Sequence, residues 1–192
     1  PNWKRRMLWN RSYSESRTTS TPALLLELLS HANFEDMKYG QDPAFRWSVA
    51  RSCYKAILKY LSMRYGTSYV VQPLPVKDFS VSFDSILDKE CKVTLRWRER
   101  VDSLEPTASP TRFYVHTRTD GGGWDEGRLV DGEKNQQGYY SLTTDIRRGS
   151  IHSFKVVAAN DGGLSCPSEI LTAGVPEGES KGKVAIINGF TR

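Results

Sequence analysis

Hydrophobic and polar positions change rhythm once along this chain, near Gly66. Before it, apolar residues fall into one block and one helical stripe. The block is Pro22-Ala23-Leu24-Leu25-Leu26-Glu27-Leu28-Leu29, apolar apart from a single carboxylate. Two elements satisfy it. One is a helix beginning at Thr21-Pro22, with Leu24, Leu25, Leu28 and Leu29 in a core and Glu27 in water; the other is a buried strand. Asn33, with Asp36 three residues on, predicts a short helix that stops at Gly40. Asp42-Pro43 predicts the start of a longer one, with Asp as N-cap and Pro at the first helical position. From there Phe45, Val49, Cys53, Ala56, Ile57, Tyr60 and Leu61 recur at spacings of three and four, the stripe of an amphipathic helix running to about Arg64.

After Gly66 the period becomes two. The two prolines of Tyr69-Val70-Val71-Gln72-Pro73-Leu74-Pro75 favour an extended, stiff connector. Phe79, Val81 and Phe83 then alternate with polar residues, as do Val93, Leu95 and Trp97. Phe113, Val115 and Thr117 form another such strand, closed by Asp120-Gly121-Gly122-Gly123. Tyr140 with Leu142 makes a further short one. Phe154, Val156 and Ala158 make a long one that ends at Asn160-Asp161-Gly162-Gly163. Short strands with turn signals between them, over a stretch of this length, have the rhythm of a β-sandwich. Glu179-Ser180-Lys181-Gly182 is a polar break, and Lys183-Val184-Ala185-Ile186-Ile187-Asn188-Gly189 reads as the first strand of another unit. The predicted organisation is an α/β segment over residues 1–66, a proline-containing linker over 67–76 and an all-β sandwich over 77–173. Residues 174–192 read as a linker and the opening strand of a following domain.

Composition changes this picture little. The chain has 192 residues, 38% hydrophobic and 26% charged, which suits one large or two modest domains. No stretch approaches the roughly 18 apolar residues that cross a bilayer. Pro1-Asn2-Trp3-Lys4-Arg5-Arg6 has neither an initiator Met nor a following apolar signal core, so the expectation is a piece of something longer. Charge is uneven: residues 1–66 hold 11 Lys/Arg against 5 Asp/Glu, and residues 67–192 hold 16 against 17. A basic bias favours acidic partners. The cations are mostly spread singly apart from Lys4-Arg5-Arg6, and no recognition motif accompanies them, so nucleic acid is not an expected partner. Cys53, Cys91 and Cys166 have neither disulfide-framework nor zinc-knuckle spacing, and His31, His116 and His152 share no ligand spacing.

The second region resembles a fibronectin type III domain over about residues 74–173. Trp97 stands at that family's strand-B tryptophan. Gly149-Ser150-Ile151-His152-Ser153-Phe154-Lys155-Val156-Val157-Ala158-Ala159-Asn160 follows the pattern G-x-x-Y-x-F-x-V-x-A-x-N, and Ser165-Cys166-Pro167-Ser168 resembles the closing S-x-P-S. His152 replaces the tyrosine of the family's corner hydrogen bond. An imidazole making a shorter version of that bond is one expectation; a looser corner is the other.

The first region resembles the C-terminal part of the zinc-dependent N-acetylmuramoyl-L-alanine amidases (the amidase-3 family) over about residues 10–62. Pro22, Ala23, Leu25 and Glu27 match its P-A-x-L-x-E. Asn33, Asp36 and the stretch from Asp42-Pro43 through Ala50, Ile57 and Tyr60 match the family's next positions, and Arg17 matches a family arginine. The family's Gly-Phe after the glutamate is Leu29-Ser30 here. The same stretch resembles one in large multidomain secreted proteins of Bacteroides-type bacteria, some labelled xanthan lyases. The resemblance implies a buried strand ending at Glu27, which would shuttle a proton beside a zinc-bound water, with Arg17 near the substrate carboxylates. The family's His-Glu-His ligands lie upstream of the motif and no histidine precedes Glu27 here. The expectation is therefore zinc in the parent, none held by this chain, and an inactive fragment of a secreted peptidoglycan hydrolase. The alternative is a non-catalytic module of a carbohydrate-processing or adhesive surface protein. Both imply a periplasmic or extracellular setting and peptidoglycan or another polysaccharide as partner.

Three smaller features stay open at this level. Trp124, beside the glycine run, either stacks on a sugar ring or packs on its own sheet. His31 either lines a pocket or is structural, and Arg147-Arg148-Gly149 reads as a solvated turn. Asn10-Arg11-Ser12 matches a glycosylation sequon that would mean little in a bacterial protein. Oligomeric state is not encoded, although residues 1–66 carry enough apolar surface to invite association.

Overall fold

The switch from helical to alternating pattern is realised in the computed structural model, which describes residue 4 and residues 7–86, 91–179 and 182–187. Arg5 and Arg6 of the basic trio, and the Asn188-Gly189 end of the last expected strand, lie outside the described residues. The chain forms two compact units, residues 1–52 and 53–191, whose boundary falls inside the long helix.

Three helices come first: α1 (Ser14–Arg17), α2 (Phe34–Gly40) and α3 (Pro43–Tyr65). The capping chemistry read from the sequence sets their ends. Asn33 Oδ1 accepts the N–H groups of Glu35 (3.0 Å) and Asp36 (3.4 Å), and Asp42 Oδ1 accepts that of Ala44 at 2.9 Å. Gly66, at φ 67°, ends α3 in the left-handed conformation that glycine adopts freely. The block 22–29 has neither a helical nor a ladder assignment among the described residues, and its leucines are mostly exposed. A buried parallel strand takes its hydrogen bonds from neighbouring strands, and none of the described residues of this unit forms one.

The stripe predicted for α3 is only partly buried. Phe45, Val49 and Cys53 are half-buried, whereas Ile57 is 60% exposed and Tyr60 47%. In the second unit the half-buried face of α3 instead includes Tyr54, Lys55 and Leu58. The cause is polar: Lys55 Nζ lies 3.2 Å from Asp102 Oδ2, and the Tyr54 hydroxyl accepts the Gln72 N–H at 3.4 Å.

The strands are β1 (Lys77–Ile86), β2 (Cys91–Arg98), β3 (Arg112–Thr119), β4 (Arg128–Val130), β5 (Tyr140–Ile146), β6 (Ile151–Asn160), β7 (Gly163–Leu164) and β8 (Leu171–Gly174). One antiparallel sheet has the order β1-β2-β5. The other runs β4-β3-β6-β7, with β8 also pairing β6. This division, first, second and fifth strands against third, fourth, sixth, seventh and last, is a fibronectin type III-like topology. The order of classes predicted from the pattern holds, with the helix-bearing segment and its apolar run first and the sandwich second.

Side chains alternating inward from both sheets make the core: Val93, Leu95 and Trp97 from one, Phe113, Val115, Phe154 and Val156 from the other. Trp97 meets the Phe113 ring edge-on, with centroids 5.7 Å apart, a favoured aromatic geometry. Val71 and Pro73 of the linker are also fully buried, so residues before the first strand belong to this packing.

Truncating Phe154 to Ala should destabilise the chain by about 3–5 kcal/mol, whereas Ile57→Ala should cost less than about 0.5 kcal/mol. Urea unfolding of the two variants checks both values.

Candidate functional site

Glu27 lies exposed in the unpaired block, and Arg17 is the exposed last residue of α1. Neither side chain makes a hydrogen bond or ion pair, so the structure does not bring the two together. Asn33 and Asp36, the next residues of the motif, have structural work: Asn33 caps α2, and Asp36 Oδ2 accepts the Ser30 N–H at 2.9 Å. His31 does line a concavity, of about 340 Å³, with Phe34, Met37, Lys38 and Gln41; neither Glu27 nor Arg17 is on its wall. Among the described residues no group of three or more His, Cys, Asp or Glu converges as metal ligands.

Leu29 has an unusual backbone conformation for a residue with a side chain. Its φ is 62°, in the left-handed region where a side chain costs roughly 1–2 kcal/mol and glycine costs nothing.

Trp124 lies half-buried in the segment between β3 and β4. Two cations face its ring: Arg118 Cζ is 4.9 Å and Lys155 Nζ 4.4 Å from the centroid. The segment is pinned by the next residue. Asp125 N–H donates to Thr117 O at 3.0 Å, and Asp125 Oδ1 accepts the N–H groups of Thr117 (2.9 Å) and Gly127 (3.1 Å). Trp124 thus packs against its own sheet through cations. The indole was legible in the sequence; Arg118 and Lys155 were not. Their signal is the period-two parity that puts them on the face opposite Val115 and Phe154, which becomes usable only once the β3–β6 register is known.

The polar cluster where the linker meets the sandwich was also missed. Glu105, 8% exposed, accepts hydrogen bonds from the Tyr69 hydroxyl and the Thr107 hydroxyl, each at 2.8 Å. Burial alone would push the Glu105 pKa up. The bonds from Thr107 and Tyr69 and the Lys55 charge outweigh it and hold the carboxyl below its usual range. Asn160 completes the cluster: its Nδ2 donates to Val71 O (2.9 Å), Thr107 O (3.0 Å) and Ser109 O (3.3 Å), and its Oδ1 accepts the Gly162 N–H at 2.8 Å. These residues are dispersed along the sequence, and no short motif announces them.

No family model matches this chain, and no curated protein matches it. Solved structures do. The twitchin kinase region from C. elegans is 24% identical, with a TM-score of 0.41, over 58% of this chain and 18% of that one. Titin kinase with its flanking domains is 22% identical, with a TM-score of 0.42, over 56% and 18%. The fn3 domain of human contactin 1 is 13% identical, with a TM-score of 0.39, over 57% and 82%. This chain therefore spans under a fifth of the length of the twitchin and titin structures. The fold assignment rests on the strand order itself. No helix among the described residues is long and apolar enough to cross a membrane.

At the turn between β5 and β6, His152 takes the corner position and makes the shorter bond. The Arg147 N–H donates to its Nε2 at 3.0 Å, while Nδ1 lies 3.4 Å from the Thr119 hydroxyl. The Arg147 side chain is not simply solvated: its Nη2 donates to the Ser150 hydroxyl at 3.0 Å. Burial lowers the His152 pKa, the positive charge of Arg147 adds to this, and the nearby Asp120 carboxylate does not offset them.

A histidine with a depressed folded pKa binds its proton more readily unfolded. Its contribution is present above the unfolded pKa of about 6.5 and is lost as pH falls below that value. The melting temperature should hold between pH 8 and about 7 and fall between about 6.5 and 5, with that part of the slope absent in His152→Tyr. Glu105, with its lowered pKa, should add a separate loss only below the ordinary carboxylate range. Calorimetric scans across pH on both proteins check the two windows.

Proposed function

We propose that this chain is a non-catalytic module, a stiff helix-and-sandwich connector within a multidomain surface or secreted protein that processes or adheres to polysaccharide. The observation that carries this reading is the locked linker. Val71 and Pro73 are buried, Asn160 holds the Val71 carbonyl and Glu105 the Tyr69 hydroxyl, and Lys55 ties the end of α3 to Asp102. A tether meant to swing would leave these backbone groups in water. No group of three or more His, Cys, Asp or Glu converges as metal ligands among the described residues.

A second reading, supported by the motif around Glu27, is that the first segment belongs to a zinc amidase whose metal ligands lie elsewhere in a longer protein. The two readings differ in what Glu27 does. In the connector it is a solvated carboxylate; in the amidase it moves the proton to the leaving amine.

The test has two arms. Limited proteolysis of the full chain should leave residues 67–76 uncut, and Asn160→Ala should expose them while lowering stability by about 1–3 kcal/mol. Rapid cleavage of the unmodified linker would sink the connector. Incubated with murein and zinc salt, a longer protein carrying this segment should release no peptide; release that disappears with Glu27→Gln would establish the amidase instead.

A further inference from the structure

We infer that Arg118, Lys155 and Trp124 form a carboxylate-binding site for an acidic polysaccharide on the outer face of the larger sheet. The class of polymer rests on the functional reading above; the anion site rests on geometry alone. In the β3–β6 register Lys155 stands opposite His116 and Arg118 opposite Ser153, which makes the two cations diagonal neighbours on one face. Like charges so placed repel, and only the indole face between them offsets this.

Some basic side chains of this unit pair with carboxylates: Arg112 with Asp161, Arg98 with Asp78, Lys55 with Asp102 and Lys134 with Glu99. Arg118 and Lys155 have no ion pair and no hydrogen bond, and Arg118 Nε is buried without a partner. A carboxylate supplied from outside would pair with the terminal Nη groups of the guanidinium and take the ammonium as a second charge.

The site is held in advance, because the three bonds of Asp125 fix Trp124 before any ligand arrives. It also reaches solvent: Trp124, Arg118 and Lys155 are all only partly buried. Two unpaired cations next to an indole suit a polymer that carries isolated carboxylates on rings with apolar C–H faces. They do not suit a nucleic acid, whose affinity comes from a row of phosphate contacts.

The experiment is affinity electrophoresis of the full chain at low salt through gels containing sodium polygalacturonate, neutral dextran or poly-L-glutamate. Polygalacturonate should retard the wild-type chain and dextran should not. The Arg118→Gln/Lys155→Gln variant should bind at least tenfold more weakly with unchanged thermal unfolding. If that variant unfolds, free galacturonate should displace wild-type chain from polygalacturonate while galactose does not. No retardation of the wild type, undiminished binding by a folded variant, equal displacement by galactose, or equal binding to poly-L-glutamate would each overturn the inference. The last result would mean bare charge or an acidic peptide. A failure here leaves the proteolysis result for the linker standing, so the two claims fail separately.

Discussion

The carboxamide of Asn160 is the constraint on which the arrangement at this end of the sandwich depends. It is 4% exposed, and its nitrogen serves three carbonyls from two distant segments. Removing it would leave the buried Val71 oxygen without this donor, which costs more than the bond itself contributes. Because one of the carbonyls belongs to Val71, the same amide decides where the incoming chain sits. The Tyr69–Glu105 bond and the Lys55–Asp102 pair can then form. Gly162 shows how closely the parts fit. A Cβ there would come within 2.3 Å of Val70 O, so this turn and the linker backbone share one space.

Much of this was legible in the residues. Asn33, Asp42 and Gly66 announced helix ends because capping is local chemistry, settled within four residues of chain. The five longer strands were legible because alternation survives wherever one face is buried, as at Val93, Leu95 and Trp97. The short strands β4, β7 and β8 escaped notice because two to four residues hold too little of a period to register. The helix stripe misled for another reason. Its C-terminal half is turned by Lys55 and Tyr54, whose partners Asp102 and Gln72 are remote in sequence. Hydrophobic periodicity cannot see an ion pair.

The candidate catalytic residues illustrate the same limit. Glu27 stood out because a carboxylate among leucines is expensive to bury. Burial of that kind needs neighbouring strands, and no strand is formed by the described residues of its unit. The left-handed turn at Leu29 could not be read from its side chain, which disfavours that conformation. At the corner, His152 was legible as a departure, and the bond it makes follows from simple reach. An imidazole nitrogen can accept an N–H from five residues upstream much as a phenol oxygen would.

The buried linker also sets the order in which the molecule yields to mechanical pull. Tension entering through α3 reaches the Lys55–Asp102 pair and the Val71 anchorage before it reaches β1. These few polar contacts are loaded ahead of the β1–β2 ladder. A stretched chain gives up the slack of its linker first, and the sandwich is spared until that length has been spent.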